Sequence, residues 1–253
     1  MQRAGVTSLL LALSLLFGAC DEVYPPQTFP PEKTQSPLPW YMEGFSLVDE
    51  QTQELAVGEL ITDTGCGIGS AVLISPQIII TAGHCVDGDP VQFFKAGCEL
   101  YRIKEYRLHP KYKIGKTVFM DVAIAVLETP CPSTPIRLLN ENNVYSRGEP
   151  LTIIGFGGGY KRKSNPFVFW YYGTLIETPS VLKMLPIQGT IYFGDSGGAV
   201  IDSVGRLVGI VSSLAINHAG VYENSAVRLD LILDWIKNTA IDLSGVAIQD
   251  SYE

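Results

Sequence analysis

Charge is scarce in this sequence, and basic charge scarcest. Only 17% of the 253 residues are charged, and 18 Lys and Arg stand against 26 Asp and Glu, a net charge of -8. Such a chain repels phosphate backbones, which excludes nucleic acid as an expected partner. Histidine is rarer still, with three residues, so any imidazole chemistry has few places to reside. Long stretches of helical periodicity are few, which argues against a helix bundle. The longest leading apolar run, Val6–Phe17, is too short to span a bilayer comfortably. What is abundant is apolar residues (46%), Gly (25) and Pro (16). That combination supplies a sizeable core built from short strands and many turns.

The N-terminus has the layout of an export signal. Arg3 supplies the positive start, Val6–Phe17 the apolar centre, and Gly18 and Ala19 the small residues before Cys20. The run Phe17-Gly18-Ala19-Cys20 resembles a bacterial lipoprotein cleavage site, although Phe17 stands where Leu is usual. The resemblance implies a signal peptide over residues 1–19 and a lipid on Cys20 as the first mature residue. The alternative is an ordinary secretory signal that leaves a spare thiol. Of five cysteines, four then remain: Cys66, Cys85, Cys98 and Cys131. An even number in an exported chain suggests two disulfides, and four cysteines allow three pairings.

Residues 20–40 hold Pro25, Pro26, Pro30, Pro31, Pro37 and Pro39 and read as an extended tether. In polyproline geometry, about 20 residues reach up to ~60 Å. From about residue 41 the chain alternates short apolar runs with turn residues. Ser70–Ser75, Gln77–Ala82, Val122–Leu127, Leu151–Phe156, Ala199–Ile201 and Leu207–Val211 are rich in Val and Ile and suit buried strands. Gly155–Gly159 marks a turn, and the basic stretch Lys161-Arg162-Lys163 after it reads as a solvated loop. Leu229, Ile232, Leu233 and Ile236 recur at helical spacing, with Asp230 early and Lys237 late, so residues 229–239 are predicted to form an amphipathic helix.

Three segments carry the chemistry. Thr81-Ala82-Gly83-His84-Cys85 follows an apolar strand. Met120-Asp121 precedes the wholly apolar run Val122–Leu127. Gly194-Asp195-Ser196-Gly197-Gly198 flanks a serine with glycines. A serine hydroxyl is a weak nucleophile and needs an adjacent base. It must also stand where backbone N–H groups face a developing oxyanion, which Gly-rich backbone permits. A carboxylate at the mouth of an apolar strand requires hydrogen bonds to offset desolvation, and an imidazole N–H supplies one.

These segments resemble the trypsin/chymotrypsin family, which carries T-A-A-H-C, D-[IV]-A-[LI] and G-D-S-G-G in this order. The chain order His, Asp, Ser is that of the chymotrypsin barrels. The resemblance spans roughly residues 57–240, with further matches at Cys66–Ser70, Leu108–Tyr112, Gly155–Gly157, Gly209–Ser212, Gly220–Tyr222 and Asp234–Lys237. It implies an all-β fold of two antiparallel six-stranded β-barrels with a C-terminal α-helix. The barrels would cover roughly residues 41–135 and 136–228 of a peptidase domain at 41–253. It implies His84 as general base, Asp121 as its orienting acid, Ser196 as nucleophile, and Gly194 and Ser196 as the oxyanion hole. It implies a serine endopeptidase acting on protein or peptide through an acyl-enzyme, with no metal or cofactor. A Cys66–Cys85 disulfide follows from the family's His-loop bridge, leaving Cys98 with Cys131. The alternative is a catalytically silent protein-binding module on the same fold. With the lipid at Cys20, the expected location is the cell envelope, anchored to a membrane, or else secreted. The chain is expected to be monomeric.

The departures from the family pattern concern specificity and activation. The residues matching the specificity pocket are Thr190, Ser212, Ser213, Leu214 and Gly220. Thr190 stands where trypsins place a pocket-floor Asp, so selection for Lys or Arg loses its main electrostatic term. Leu214 replaces a wall Gly, and Tyr192 replaces a pocket cysteine. A small or medium uncharged residue before the cleaved bond is expected. His218, near this region, offers a second possibility, an acidic preference. No I-V-G-G start precedes the domain; Leu47-Val48-Asp49-Glu50 is only a faint echo of one. Asp195 must therefore pair with a terminal amine created by an unusual cut near 41–48, or with another group.

Overall fold

The computed structural model describes residues 45–48, 56–88, 91–113, 120–140, 150–164, 167–169, 181–185, 190–216 and 222–248. Cys20, the signal and tether, His218 and Gly220 lie outside them, and for Leu214 only the backbone is described.

Six strands close into the first barrel: β2 (Val57–Thr62), β3 (Gly67–Ser75), β4 (Ile78–Thr81), β5 (Val91–Ala96), β6 (Glu99–Leu108) and β7 (Ala123–Leu127). They pair in the order β2-β3-β4-β7-β6-β5, every pair antiparallel. The runs Ile78–Ile80 and Ala123–Leu127 are continuously buried, because these adjacent strands carry core on both faces. β6 behaves oppositely. Its ELYRIKEYRL sequence is mostly exposed, which is why no apolar run announces it.

The second sheet holds eight strands. β1 (Phe45–Leu47) and β9 (Arg162–Ser164) extend one side of β8 (Pro150–Gly155). From β8 the pairing continues through β10 (Phe167–Phe169), β11 (Val181–Leu185), β14 (Tyr222–Arg228), β13 (Leu207–Ile216) and β12 (Ala199–Ile201). β12 then pairs with β8, so the ring returns on itself. The N-terminal strand β1 thus belongs to the second sheet, not to the first barrel where the expected boundary at 135 placed it. Its ladder partner is β9.

The C-terminal helix α1 runs Leu233–Ser244, four residues later at its start than periodicity suggested. Leu229 and Ile232 are buried but precede it, in a turn closed by Ile232 N–H donating to Leu229 O. Gly245 ends the helix in the left-handed conformation at φ 72°. Leu233, Ile236, Thr239 and Ala240 form its buried face. Among the described residues no helix is long and apolar enough to cross a membrane.

Candidate active site

The first barrel supplies two of the three expected chemical groups. β4 ends at Thr81, and a 3-10 turn at Gly83–Cys85 carries His84 to the barrel mouth. Asp121 sits two residues before the next strand over, β7, which pairs with β4. The pairing brings them together: Asp121 Oδ1 accepts from His84 N–H at 2.8 Å, and Oδ2 meets His84 Nδ1 at 2.7 Å. Asp121 is 1% exposed, whereas the His84 side chain keeps 33% of its surface. The backbone before the acid is bent. Met120 has φ 47°, and Val122 N–H closes back onto Met120 O at 2.8 Å. Gly83 has a local reason too. A Cβ there would lie 2.9 Å from the Tyr112 ring and 3.2 Å from Asp121 Oδ1.

The second sheet brings the serine. Ser212, on β13, donates its hydroxyl to Asp121 Oδ2 at 2.6 Å, while its carbonyl lies 3.4 Å from Ser196 Oγ. One residue therefore touches both the acid and the alcohol. The Ser196 hydroxyl donates to that carbonyl and makes no hydrogen bond to His84. Ser70 ties the Gly194–Gly198 loop to the first barrel. Its N–H donates to Ser196 O at 2.7 Å, its hydroxyl donates to Gly194 O at 2.6 Å, and that hydroxyl accepts from Phe156 N–H at 3.0 Å. Sequence reasoning missed Ser70, although its place in the Cys66–Ser70 match marked the segment.

Donor orientation is set by neighbouring carbonyls. Gly158 N–H donates to Phe193 O at 2.8 Å, so the trans peptide points the Gly194 N–H the opposite way. Neither Gly194 N–H nor Ser196 N–H is donated to any described residue. Gly194 has φ 98°, and a Cβ there would lie 2.4 Å from Phe156 O, so only glycine fits. Such a pair of undonated N–H groups beside a serine is suited to hold an oxyanion.

Burial by itself lowers the His84 pKa. The adjoining Cys85 sulfur and the Asp121 carboxylate outweigh it, and the imidazole is held above its ordinary 6.5. Among the described residues no cluster of His, Cys, Asp and Glu could hold a metal ion.

The trypsin-like peptidase domain model matches residues 69–210, more than half of the chain. The chain belongs to the trypsin-like peptidase family. A trypsin of Saccharopolyspora erythraea is 24% identical over 213 residues, covering 72% of this chain and 92% of that protein. A probable periplasmic DegP-like serine endoprotease of Pseudomonas savastanoi is 26% identical over 169 residues, covering 66% of this chain and 33% of the relative. Among solved structures, human heparin binding protein superposes with a TM-score of 0.66 at 16% identity, covering 77% of this chain and 95% of that one. The Vibrio cholerae VesB protease gives 0.64 at 17%, covering 78% and 67%. These likenesses establish the fold: β-rich, with a closed six-stranded barrel, a second sheet and a C-terminal helix.

Two expectations about this peptidase need correction. No disulfide bond is present among the described residues, so neither Cys66–Cys85 nor Cys98–Cys131 is formed. The Cys85 sulfur faces Gly69, where a Cβ would lie 2.8 Å away. Cys66 is three residues earlier, beyond the Ile68 irregularity in the β2–β3 register. Cys98 is exposed in the β5–β6 turn, whereas Cys131 is buried. The basic stretch is not a solvated loop either. Lys161 is buried, and Arg162 is 0% exposed.

Arg162 answers the question of what Asp195 pairs with. Its Nε donates to Asp195 Oδ1 at 3.2 Å and its Nη2 to Oδ2, a two-pronged ion pair with both side chains fully buried. Asp195 also accepts from Gly157 N–H and Tyr192 N–H, each at 2.8 Å. In the intact chain Leu47 and Val48 are engaged elsewhere. Leu47 lies in β1, and Val48 N–H donates to Lys161 O. Arg162 Nη2 further reaches Thr190 O at 3.3 Å. Thr190 is buried, with its hydroxyl donated to Asn224 Oδ1 at 2.8 Å. Asn224 also accepts from Ile191 N–H at 2.9 Å, a bond the sequence did not signal. Phe193, which precedes Gly194, is 68% exposed.

Proposed function

We propose that this peptidase is an active serine endopeptidase with His84, Asp121 and Ser196 as its catalytic groups. The observation that carries the reading is the buried Asp121 carboxylate held 2.7 Å from His84 Nδ1, with the Ser212 hydroxyl as its further donor. Asp121 fixes the tautomer that leaves Nε2 free to act as base. Ser196 Oγ attacks the substrate carbonyl carbon, His84 Nε2 takes the Oγ proton, and the carbonyl oxygen becomes an anion facing Gly194 and Ser196 N–H. The C–N bond then breaks, with His84 returning the proton to the leaving amine. Water attacks the resulting ester, its proton goes to His84, and Ser196 is released as the alcohol.

The substrate is a protein or peptide with a small or medium uncharged residue before the cleaved bond. Thr190, Ser212 and Ser213 present no charge to that pocket, and the Thr190–Asn224 hydrogen bond supports a neutral floor. An exported location is supported by the likeness to a DegP-like relative named as periplasmic. A lipid on Cys20 would tether the domain to the cell envelope through the Pro-rich segment.

A catalytically silent binding module has one observation in its favour, the Ser196 hydroxyl turned toward Ser212 O. A change of the Ser196 rotamer redirects it. Labelling with a fluorophosphonate separates the two readings. Covalent mass on Ser196, absent in Ser196→Ala, supports the enzyme; an unlabelled folded protein refutes it. A peptide panel then tests specificity, and preferred cutting after Arg or Lys would overturn the neutral pocket.

A further inference from the structure

Arg162 is the largest fully buried side chain among the described residues, and its guanidinium is gripped from two sides. On one side the Phe45 ring centre lies 3.9 Å from Cζ, a stacked cation–π contact. On the other side a Cβ on Gly157 would come within 2.3 Å of Nε, so the plane rests against bare backbone. Phe45 is itself buried and lies on β1, whose ladder with β9 pairs Phe45 with Ser164 and Leu47 with Arg162. The strand is locked at its far end by Val48 N–H donating to Lys161 O at 3.0 Å.

What Arg162 holds is the acid of the nucleophile loop. The Asp195 carboxylate gathers Gly157 and Tyr192 N–H, and Asp195 N–H closes onto Tyr192 O at 3.0 Å. Gly157 precedes Gly158, whose N–H holds Phe193 O and so orients the Gly194 donor. A buried carboxylate that loses its cation is left uncompensated and rearranges toward water. The chain of contacts therefore runs from Phe45 through Arg162 and Asp195 to the oxyanion donors.

We propose that β1 is a built-in activator: Phe45 seats Arg162 against Asp195, so the uncut chain has its oxyanion site oriented, and loss of β1 switches the enzyme off. The proposal rests on the serine endopeptidase reading and adds its regulation. It reverses the logic of activation by a new N-terminal amine. Cuts in the tether before residue 41 leave activity in place, whereas removal of residues 45–48 abolishes it. Phe45 and Arg162 are positioning residues, acting on substrate only through Asp195 and the loop it anchors.

The test compares the full chain with Phe45→Ala and Phe45→Tyr, reading kcat and KM on a neutral peptide ester and amide exchange by mass spectrometry. In Phe45→Ala, kcat falls by roughly 10²-fold, the size of losing one oxyanion donor, with KM little changed. Exchange at the Gly157 and Tyr192 amides quickens, while Ile80 and Ile124 in the first barrel stay protected, which shows that the fold persists. Phe45→Tyr, which keeps the ring, restores both readouts. Unchanged kcat and exchange in Phe45→Ala overturn the proposal, as does a full chain that hydrolyses only after its N-terminus is cut. A chain that fails to react with fluorophosphonate both at full length and after its N-terminus is cut refutes the peptidase reading instead, and the exchange comparison still decides whether Phe45 secures the Asp195 site.

Discussion

At the scale of single residues, the site depends on a carboxylate that three donors hold in place. Asp121 accepts from the His84 backbone, the His84 ring and Ser212. Asp121→Asn keeps the shape but puts an amide where Oδ2 accepts, favouring the wrong imidazole tautomer. The expected loss in kcat is roughly 10⁴-fold with fold and KM retained, measured by steady-state kinetics and circular dichroism. The same contacts set the pH response. His84 acts as base only when neutral, and its pKa is held above 6.5. Activity is therefore present on the alkaline side and is lost as pH falls through that raised value. The acid limb of kcat/KM is expected above pH 6.5 and should move downward in the residual activity of Asp121→Asn. The proposed roles could be read from the sequence because His84, Asp121 and Ser196 each sit in a local segment whose residue types suit the chemistry. Arg162 was illegible for the opposite reason. Between two lysines it reads as solvated charge, and its burial becomes tolerable through partners distant in the chain, above all the Asp195 carboxylate 33 residues away.

At the scale of elements, β3 and β4 form the hairpin that delivers His84, and Cys85 at its end faces Gly69 without a bridge. The 2.8 Å between the Gly69 Cβ position and Cys85 Sγ is within reach of an S–S bond of about 2.05 Å. Gly69→Cys is expected to close a disulfide with Cys85 under oxidising conditions, worth about 2–4 kcal/mol. Mass loss of two hydrogens and a rise in melting temperature that reductant reverses would check it. The helix α1 makes its contribution through packing. Ile236 is fully buried, and Ile236→Ala should cost about 2–5 kcal/mol in denaturant midpoint analysis. Apolar strands such as Ile78–Thr81 and Ala123–Leu127 were evident in the sequence because both their faces are buried. β6 and β9 were not, since β6 is largely exposed and β9 buries its arginine through an ion pair.

At the scale of the whole molecule, the proposed catalytic groups from two separately paired sheets meet at Ser70 and Ser212. Ser70 reaches from β3 to Gly194 O and Ser196 O, and Ser212 reaches from β13 to Asp121. The proposed lipid at Cys20 adds a membrane to this arrangement through the Pro-rich segment. Cys20→Ser should shift the protein from the membrane fraction to the soluble fraction of exporting cells, with peptide hydrolysis per molecule unchanged. Immunoblotting of separated fractions checks it, and an unshifted protein would exclude the anchor.

The sequence alone determined the family, the order of the chemical groups and the presence of a β-rich fold, because those properties are written in contiguous segments. A strand's apolar run, a glycine-flanked serine and a histidine after a buried strand need no distant partner to be read. The tertiary structure decided which cation neutralises Asp195, which residue faces the Cys85 sulfur, and to which sheet the N-terminal strand belongs. Each of those depends on residues far apart in the chain meeting in space, and burial changes the meaning of a charge or a thiol only once its neighbours are known.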